Sequence, residues 1–447
     1  MTKSLRIGSG AGFAGDRLDA ALVLAERGEL DFLTLECLAE RTIALAQLRR
    51  RNDPATGYDP RLERRIIDLL PVLKPRGFRI VSNMGAANPL AAGEAIVAIA
   101  KRLAVAVKVA VVTGDDVLAL IDPDERALED GLPLAEHGPL VSANAYLGAD
   151  AIVPALATGA DIVITGRVAD PSLFVAPIAT HHGWSLDDHD RVARGTAVGH
   201  LLECAGQLCG GYFADPGRKD VPDMAHLGFP FADVDADGRA MLAKVNGTGG
   251  AITLATVKEQ LLYEVTDPHA YVTPDVVADF STITLEATGR DRVAVTDARG
   301  HARPGRLKVS VGYLAGFVGE GEIGYAGRNA MARAQLAGDI VRERLAGKFA
   351  EMRIDLIGST SLHGHALDPH ERPYEIRLRV AARAPTEDEA RIVGEEVEAL
   401  YTNGPAGGGG ARRSVQEQVG IVSTLIDRDR VKSAITMSEW ASHAEAL

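Results

Sequence analysis

The segment Leu5–Arg17 reads Leu-Arg-Ile-Gly-Ser-Gly-Ala-Gly-Phe-Ala-Gly-Asp-Arg, a short apolar strand that runs directly into a glycine-rich loop. Four more strand-like runs within the first 170 residues repeat this arrangement and alternate with helical segments. The predicted strands are Leu5–Ile7, Asp31–Leu35, Phe78–Ser82, Val107–Val112 and Asp161–Thr165. Alternation of this kind predicts an α/β fold with a largely parallel sheet built from βαβ units.

The loops that follow these strands carry most of the candidate binding residues. Open parallel sheets bind ligands outside the carboxyl ends of their strands, so we expect the loops to meet at one rim around a shared cavity. The predicted substrate-binding residues of this half of the chain are Gly10, Gly12, Gly15, Arg17, Asn83, Asn144 and Arg167. The alternative is that Gly, Asn and Asp are simply what short loops are made of.

The run Gly10-Ala-Gly-Phe-Ala-Gly15 matches the dinucleotide fingerprint G-x-G-x-x-G, and Glu36 follows about twenty residues later at the end of the next strand. Bare backbone N–H groups at a helix start would hold a carboxylate or a coenzyme A phosphate equally well. Asp16, directly after the last glycine, would repel a pyrophosphate. A nicotinamide-dependent oxidoreductase is therefore an alternative, and the sequence assigns no cofactor.

A second glycine loop, Asn246-Gly-Thr-Gly-Gly250, lies between a strand and the predicted helix Ala251–Val265. Its N–H groups could bind a second anionic group of a substrate, through Gly247, Thr248, Gly249 and Gly250. The alternative is a tight strand-to-helix turn in which the glycines relieve crowding.

Four residues are candidates for proton transfer: Asp116, Asp170, His200 and Glu203. His200 and Glu203 recur with Cys204 and Gln207 on one predicted helix face and could form an acid/base pair. The alternative is a hydrogen-bonded core histidine, and the sequence supplies too few further ligands to assign a metal. Asp116 and Asp170 follow strands, where they could also be helix caps or ion-pair partners. Arg17 and Arg167 are the candidate clamps for a substrate carboxylate.

The length of 447 residues predicts two domains. Residues 1–274 would form the α/β ligand-binding domain. Residues 275–447 would form a smaller α+β domain, because alternating strands follow Pro274 and two helical segments are interspersed with strands, which predicts a mixed or antiparallel sheet.

Charge and cysteine content limit the partners. The net charge of −13 argues against nucleic acid and anionic membranes. Three irregularly spaced cysteines indicate a reducing compartment, and the N-terminal residues lack the apolar region of a signal peptide, so we expect a cytoplasmic protein. We expect a small-molecule carboxylate or acyl-CoA as ligand and a homo-oligomer as the assembly.

Several segments together resemble the A-type proteins of the acyclic terpene utilisation family over roughly residues 5 to 330. The segments are Ile7–Asp16, Asp31–Glu40, Asn144–Ala149, Gly159–Arg167, Gly199–Cys204, Thr248–Gly250 and Glu259–Glu264. The resemblance implies a setting in acyl-CoA and unsaturated or hydroxy-acid breakdown. It also implies a small extra module or partner subunit, which we do not find before Leu447. The run Cys209-Gly-Gly-Tyr212 departs from the family pattern, which implies a different substrate preference.

These observations favour a lyase of the hydratase type that acts on an unsaturated or hydroxy acid or its coenzyme A thioester. The alternatives are a non-catalytic acyl-binding subunit that docks onto a carboxylase or lyase, and an NAD-dependent oxidoreductase.

Overall fold

The structure is a computed structural model that describes residues 4–364 and 373–441. Its strands are β1 (Leu5–Ala11), β2 (Phe32–Leu35), β3 (Arg79–Ser82), β4 (Val107–Thr113), β5 (Leu140–Ala145), β6 (Ile162–Thr165), β7 (Pro230–Val234), β8 (Ala240–Lys244), β9 (Tyr271–Val272), β10 (Val277–Asp279), β11 (Thr284–Gly289), β12 (Arg292–Thr296), β13 (Arg299–His301), β14 (Arg306–Ala326), β15 (Met352–Ile357), β16 (Glu375–Ala384), β17 (Gly409–Asp427) and β18 (Ala434–Trp440). Its helices are α1 (Leu18–Arg27), α2 (Glu40–Asn52), α3 (Leu62–Arg76), α4 (Pro89–Leu103), α5 (Leu134–His137), α6 (Ala149–Ala157), α7 (Ser172–His182), α8 (His189–Glu203), α9 (Leu254–Leu262), α10 (Ala330–Arg344) and α11 (Glu387–Asn403).

A large mixed sheet organises the first unit of the molecule. Its strand order is β11-β12-β8-β7-β1-β2-β3-β6-β4-β18. The central strands β1, β2, β3, β6 and β4 are mutually parallel, and antiparallel β7 and β18 flank them. The predicted α/β class is confirmed, and the carboxyl ends of the five parallel strands lie along one edge of the sheet.

The central strands form because their residues suit burial on both faces. Strands β2 and β6 are short, apolar and buried along their whole length, as expected for a parallel sheet covered by helices. All five predicted strands are present. Strand β1 extends to Ala11, so Gly10 lies within it, where a Cβ would meet the side chains of Leu33 and Leu35.

The second unit has the topology of a βαββαβ fold. Strands β14, β15, β16 and β17 alternate with α10 and α11 along the chain, and their order in the sheet is β15-β16-β14-β17. This is the arrangement of ferredoxin-like folds. Both helices contribute to the same apolar core as β14, β15 and β16, including Ile323, Val341, Leu378 and Val397.

The two units comprise different residues from the two predicted domains. The first unit contains residues 1–134, 141–312 and 421–447, and the second contains residues 135–140 and 313–420. Strands β11, β12 and β18, which follow residue 275, therefore belong to the large sheet of the first unit. Compactness does not show which segments fold independently, so the domains 1–274 and 275–447 stay a prediction.

Within residues 4–364 and 373–441, no helix has both the length and the apolar character needed to cross a bilayer.

We expect Gly319→Ala to destabilise the second unit. Helix α11 approaches β14 so closely that a Cβ at Gly319 would lie 1.7 Å from the backbone oxygen of Ala390. Relieving such overpacking costs about 1–3 kcal/mol or more, which urea-induced unfolding would measure. Gly409→Ala is the control, because its Cβ would meet open space. Equal stability of the two variants would contradict the close packing.

Candidate functional site

A cavity of about 980 Å³ opens at the carboxyl ends of β1, β2 and β6 in the first unit. Its acidic wall residues are Asp16, Glu36, Glu40, Asp170, Glu203 and Glu264, and its basic ones are Arg17, Arg306 and Lys308. Four of the predicted site residues line it: Gly12, Arg17, Asp170 and Glu203. This volume is in the range of small-molecule sites.

Glu36 is held at the inner wall by the loop after β3. Asn83 accepts a hydrogen bond from the Cys37 backbone N–H at 2.7 Å and donates its amide N–H to Glu36 at 2.9 Å. The Leu38 N–H donates to the same carboxylate oxygen at 2.8 Å. Burial, followed by the charge of Asp170, raises the pKa of Glu36 well above its ordinary value. Asn83 thus supports the cavity from beneath and is not part of its wall.

Arg167 is fully buried, and its N–H groups bind within the protein. It donates to the backbone oxygens of Val168 and Leu38 at 2.8 and 2.5 Å and to the Asp170 carboxylate. Its guanidinium also lies over the Tyr146 ring at 4.4 Å. Burial lowers the pKa of Arg167, but the acidic groups around it, Asp170 foremost, outweigh burial, so the net shift is upward. The residue predicted as a substrate clamp therefore holds the cavity wall together.

Tyr146, Glu40 and Lys308 form a further part of the wall, next to Arg167. The Tyr146 hydroxyl donates to Glu40, and the Lys308 ammonium lies 3.2 Å from the same carboxylate oxygen. Burial raises the pKa of Tyr146, which keeps its proton. Burial opposes ionisation of Glu40 most strongly, but the hydrogen bond from Tyr146 and the charges of Lys308 and Arg167 lower its pKa to about 2. Glu40 is therefore ionised, and the Lys308 ammonium balances its charge.

His200 and Glu203 form a buried pair at the end of α8. The two residues are i and i+3, and His200 Nδ1 lies 3.1 Å from Glu203 Oε1, while His200 Nε2 lies 3.2 Å from the Leu261 backbone oxygen. Burial lowers the pKa of His200 to about 4, and burial together with the charge of Asp170 raises that of Glu203 well above its ordinary value. A backbone oxygen can only accept, so Nε2 carries the imidazole proton, and Glu203 is the proton donor to Nδ1.

Asp170 completes a group of carboxyls that cannot all ionise. Its side chain is 36% exposed toward the cavity, and it pairs with Arg167. Burial raises its pKa, while the nearby charge of Arg167 opposes that shift. Glu36, Asp170 and Glu203 therefore lie near one buried guanidinium, and burial together with the proximity of like charges raises the pKa of all three carboxyls.

Apolar side chains surround the mouth of the cavity. Phe13, Tyr212, Met224 and Val272 come from four separate segments, line the cavity and are exposed by 62%, 85%, 38% and 62%. Leu227, Phe229 and Tyr271 extend this surface inward. The cavity thus combines a carboxyl-rich wall with a hydrocarbon-like opening.

N–H groups of the first glycine loop are hydrogen-bonded to a side chain of the same loop. Asp16 accepts hydrogen bonds from the N–H groups of Gly12 and Arg17 at 2.9 and 2.8 Å. A Cβ at Gly12 would lie 2.4 Å from the Cys204 carbonyl carbon, so the glycine is required for packing against the end of α8. Gly10 and Gly15 lie outside the cavity wall. These contacts occupy the place of a cofactor pyrophosphate and argue against the dinucleotide alternative.

The second glycine loop also packs against protein. The N–H groups of Gly249 and Gly250 donate to the backbone oxygens of His226 and Pro222, and Thr248 donates to Val245. Gly247, Thr248, Gly249 and Gly250 do not line the cavity. The loop instead supports the segment that carries Met224 and Leu227, so its predicted substrate contact stays a prediction without geometric support.

Asp116 lies apart from the predicted shared rim. It is half exposed and pairs with Arg50 at 3.6 Å. Its neighbour Asp115 is the buried residue that joins the site, since it accepts hydrogen bonds from the Arg167 N–H and the Asn144 side chain at 2.9 and 2.8 Å. Asn144 therefore lies, like Asn83, in the layer beneath the cavity, and the role of Asp116 stays a prediction.

Several wall residues were not among the predicted site residues: Glu36, Glu40, Tyr146, Glu264, Tyr271 and Lys308. Glu36 follows β2 directly, as the other candidates follow their strands, so its position is the sequence signal that indicates it. Helix α8 ends at Glu203, before the predicted end of the helix at Gln207, but Cys204 and Gln207 still line the cavity.

Among the described residues, no three His, Cys, Asp or Glu side chains are grouped so that they could hold a metal ion.

A protein-family model described as acyclic terpene utilisation family protein AtuA matches residues 5–437. The family resemblance inferred over residues 5 to 330 is thereby confirmed and extends further along the chain. No curated protein and no solved structure matches the sequence.

We expect Asp115 to make stability fall with rising pH. Burial raises its pKa from 3.8 to about 6, so between these values the folded state binds more protons than the unfolded state. The free energy of unfolding of the native protein, minus that of Asp115→Asn, should fall by at most about 3 kcal/mol from about pH 4 to about pH 7. Urea-induced unfolding at each pH measures this difference, and a constant or rising difference would contradict the assignment.

Proposed function

The chain belongs to the acyclic terpene utilisation family AtuA, and on this premise we propose that it is a lyase of the hydratase type in the breakdown of branched acids. The proposed substrate is an unsaturated or hydroxy acid, or its coenzyme A thioester. The observation that carries the proposal is the grouping of Glu36, Asp170 and Glu203 on the wall of one cavity beside the buried guanidinium of Arg167, where burial raises the pKa of all three carboxyls.

The chemistry requires one acid and one base beside each other. In hydration, water adds across a C=C bond conjugated to a carbonyl: a base takes a proton from the water, and an acid gives a proton to the carbon next to the carbonyl. Asp170 is the proposed base, because Arg167 favours its ionised form. Glu203 is the proposed acid, because its environment keeps it protonated. Dehydration uses the same groups in reverse.

The rest of the cavity suits a branched acid. Arg17 is an exposed cation on the wall that donates to the backbone oxygens of Met224 and Ala225, whereas Lys308 pairs with Glu40. Arg17, rather than Lys308 or buried Arg167, is therefore the proposed partner of a substrate carboxylate or thioester oxygen. The apolar mouth around Phe13 and Met224 would bury the hydrocarbon chain.

We expect Asp170→Asn and Glu203→Gln each to lower kcat by roughly a hundredfold or more, because each removes one proton-transfer group while keeping the shape of the side chain. The assay is mass-spectrometric detection of water addition to an α,β-unsaturated branched acid, of water loss from the corresponding β-hydroxy acid, and of the same two reactions of their coenzyme A thioesters.

Glu286→Gln is the matched control, since Glu286 is an exposed carboxylate on β11 outside the cavity. Binding of these compounds without turnover would replace the proposal with a non-catalytic acyl-binding subunit. Full activity of both cavity variants would refute the assigned acid and base.

A further inference from the structure

Tyr271 brings a phenol hydroxyl to the part of the cavity that contains Glu203. It belongs to β9, where it pairs with Ala278 of β10, and its partly exposed side chain lines the cavity. The ring stacks on Phe280 with centroids 4.8 Å apart and lies 5.1 Å from the imidazole of His200. Because Nδ1 of this imidazole lies 3.1 Å from the Glu203 carboxyl, these contacts hold Tyr271 close to the proposed acid.

The hydroxyl of Tyr271 is available to a ligand. Among the described residues it makes no hydrogen bond, and it does not belong to the fully buried polar atoms that lack a partner there, so it is unpaired and accessible. The other tyrosines of the wall differ. Tyr146 donates its hydroxyl hydrogen to Glu40, and Tyr263 packs against Tyr212, which is 85% exposed at the mouth.

The reaction in the proposed function creates a charge that such a hydroxyl stabilises. When Asp170 takes a proton from water, the water oxygen bonds to the β-carbon, and the electron pair of the C=C bond shifts so that the carbonyl oxygen becomes an enolate oxygen. Glu203 then gives its proton to the α-carbon, which restores the carbonyl group. Since carboxyls line this cavity, the transient negative oxygen needs a hydrogen-bond donor that does not itself ionise.

We propose that Tyr271 is a further catalytic residue, whose hydroxyl donates a hydrogen bond to the carbonyl oxygen of the substrate and stabilises the enolate. This inference rests on the proposed function and adds a residue to its site. A carbonyl oxygen has two lone pairs, so it can accept from Tyr271 as well as from Arg17. Burial, followed by the charges of Glu203 and Asp170, raises the pKa of Tyr271, so the phenol keeps its proton throughout.

Tyr271→Phe removes the hydroxyl but keeps the ring that stacks on Phe280. We expect it to lower kcat for hydration of the α,β-unsaturated branched acid and its thioester by roughly a hundredfold, as expected for the loss of one oxyanion donor. A second measurement uses citronellic acid and its coenzyme A thioester, which lack the α,β double bond and are not hydrated by this route. Infrared difference spectroscopy with an isotope-labelled carbonyl then reports the hydrogen bond in the bound state of the full-length protein.

A hydrogen bond from Tyr271 lowers the carbonyl stretching frequency of the bound thioester. Tyr271→Phe should therefore raise this frequency, whereas replacement of Tyr271 by a ring-fluorinated tyrosine, a stronger donor, should lower it further. A residue that only supports the fold would not shift the frequency in opposite directions. Tyr325→Phe is the matched control, because the Tyr325 hydroxyl also lacks a partner among the described residues but is buried in the second unit.

Thermal unfolding checks that each variant is folded, and the fluorinated variant decides the question if Tyr271→Phe does not fold. A carbonyl frequency that neither replacement changes overturns the inference, as does a folded Tyr271→Phe protein with the kcat of the native protein. Either result leaves the proposed function standing as long as the native protein hydrates the unsaturated compounds. A native protein that binds them without turnover refutes the proposed function, while a carbonyl shift that depends on Tyr271 still supports the hydrogen bond. Absence of binding by all of these compounds contradicts both.

Discussion

The buried guanidinium of Arg167 is the interaction on which the site depends. A cation removed from water is tolerated only when its donors are paired, and Arg167 pairs them with the loop after β2, with its own loop after β6 and with Asp170. The same group lies over Tyr146, which in turn orders Glu40. One side chain thereby joins the loops that follow β2 and β6, which lie on either side of β3 in the sheet, to Tyr146 and Glu40 in a single frame for the cavity.

The same contacts also influence the pKa values of the carboxyls that line the cavity. Three carboxyls share one buried positive charge, and burial disfavours every further anion. Glu203 differs from the other two because His200 lies behind it, with both ring nitrogens in hydrogen-bond distance of a partner. The environment, and not the residue type, thus gives the three carboxyls different partners: a buried imidazole beside Glu203, a guanidinium beside Asp170, and backbone and amide N–H groups at Glu36.

The glycine loops show that one sequence pattern can either bind an anion or allow close backbone packing. A glycine-rich turn before a helix exposes N–H groups that can bind an anion, and the same turn lets two segments of backbone approach closely. At Gly12 the second purpose dominates, because the Cys204 backbone occupies the space that a Cβ would need. The anion at this helix start is supplied by Asp16 of the same chain.

The sequence by itself determined the fold class, the five parallel strands and the family. Strand periodicity and turn residues are local properties, so they can be recognised without knowing which distant residues come into contact. It also placed Asp170, Glu203 and Arg17 among the candidates, since they follow strands or share a helix face. Only the tertiary structure decided that the N–H groups of Arg167 bind within the protein, that Asp115 binds Arg167 while Asp116 pairs with Arg50, and that Glu40, Tyr146 and Lys308 lie together in the cavity wall. Those assignments depend on which residues from distant segments meet and how deeply they are buried, and neither quantity is encoded in local spacing.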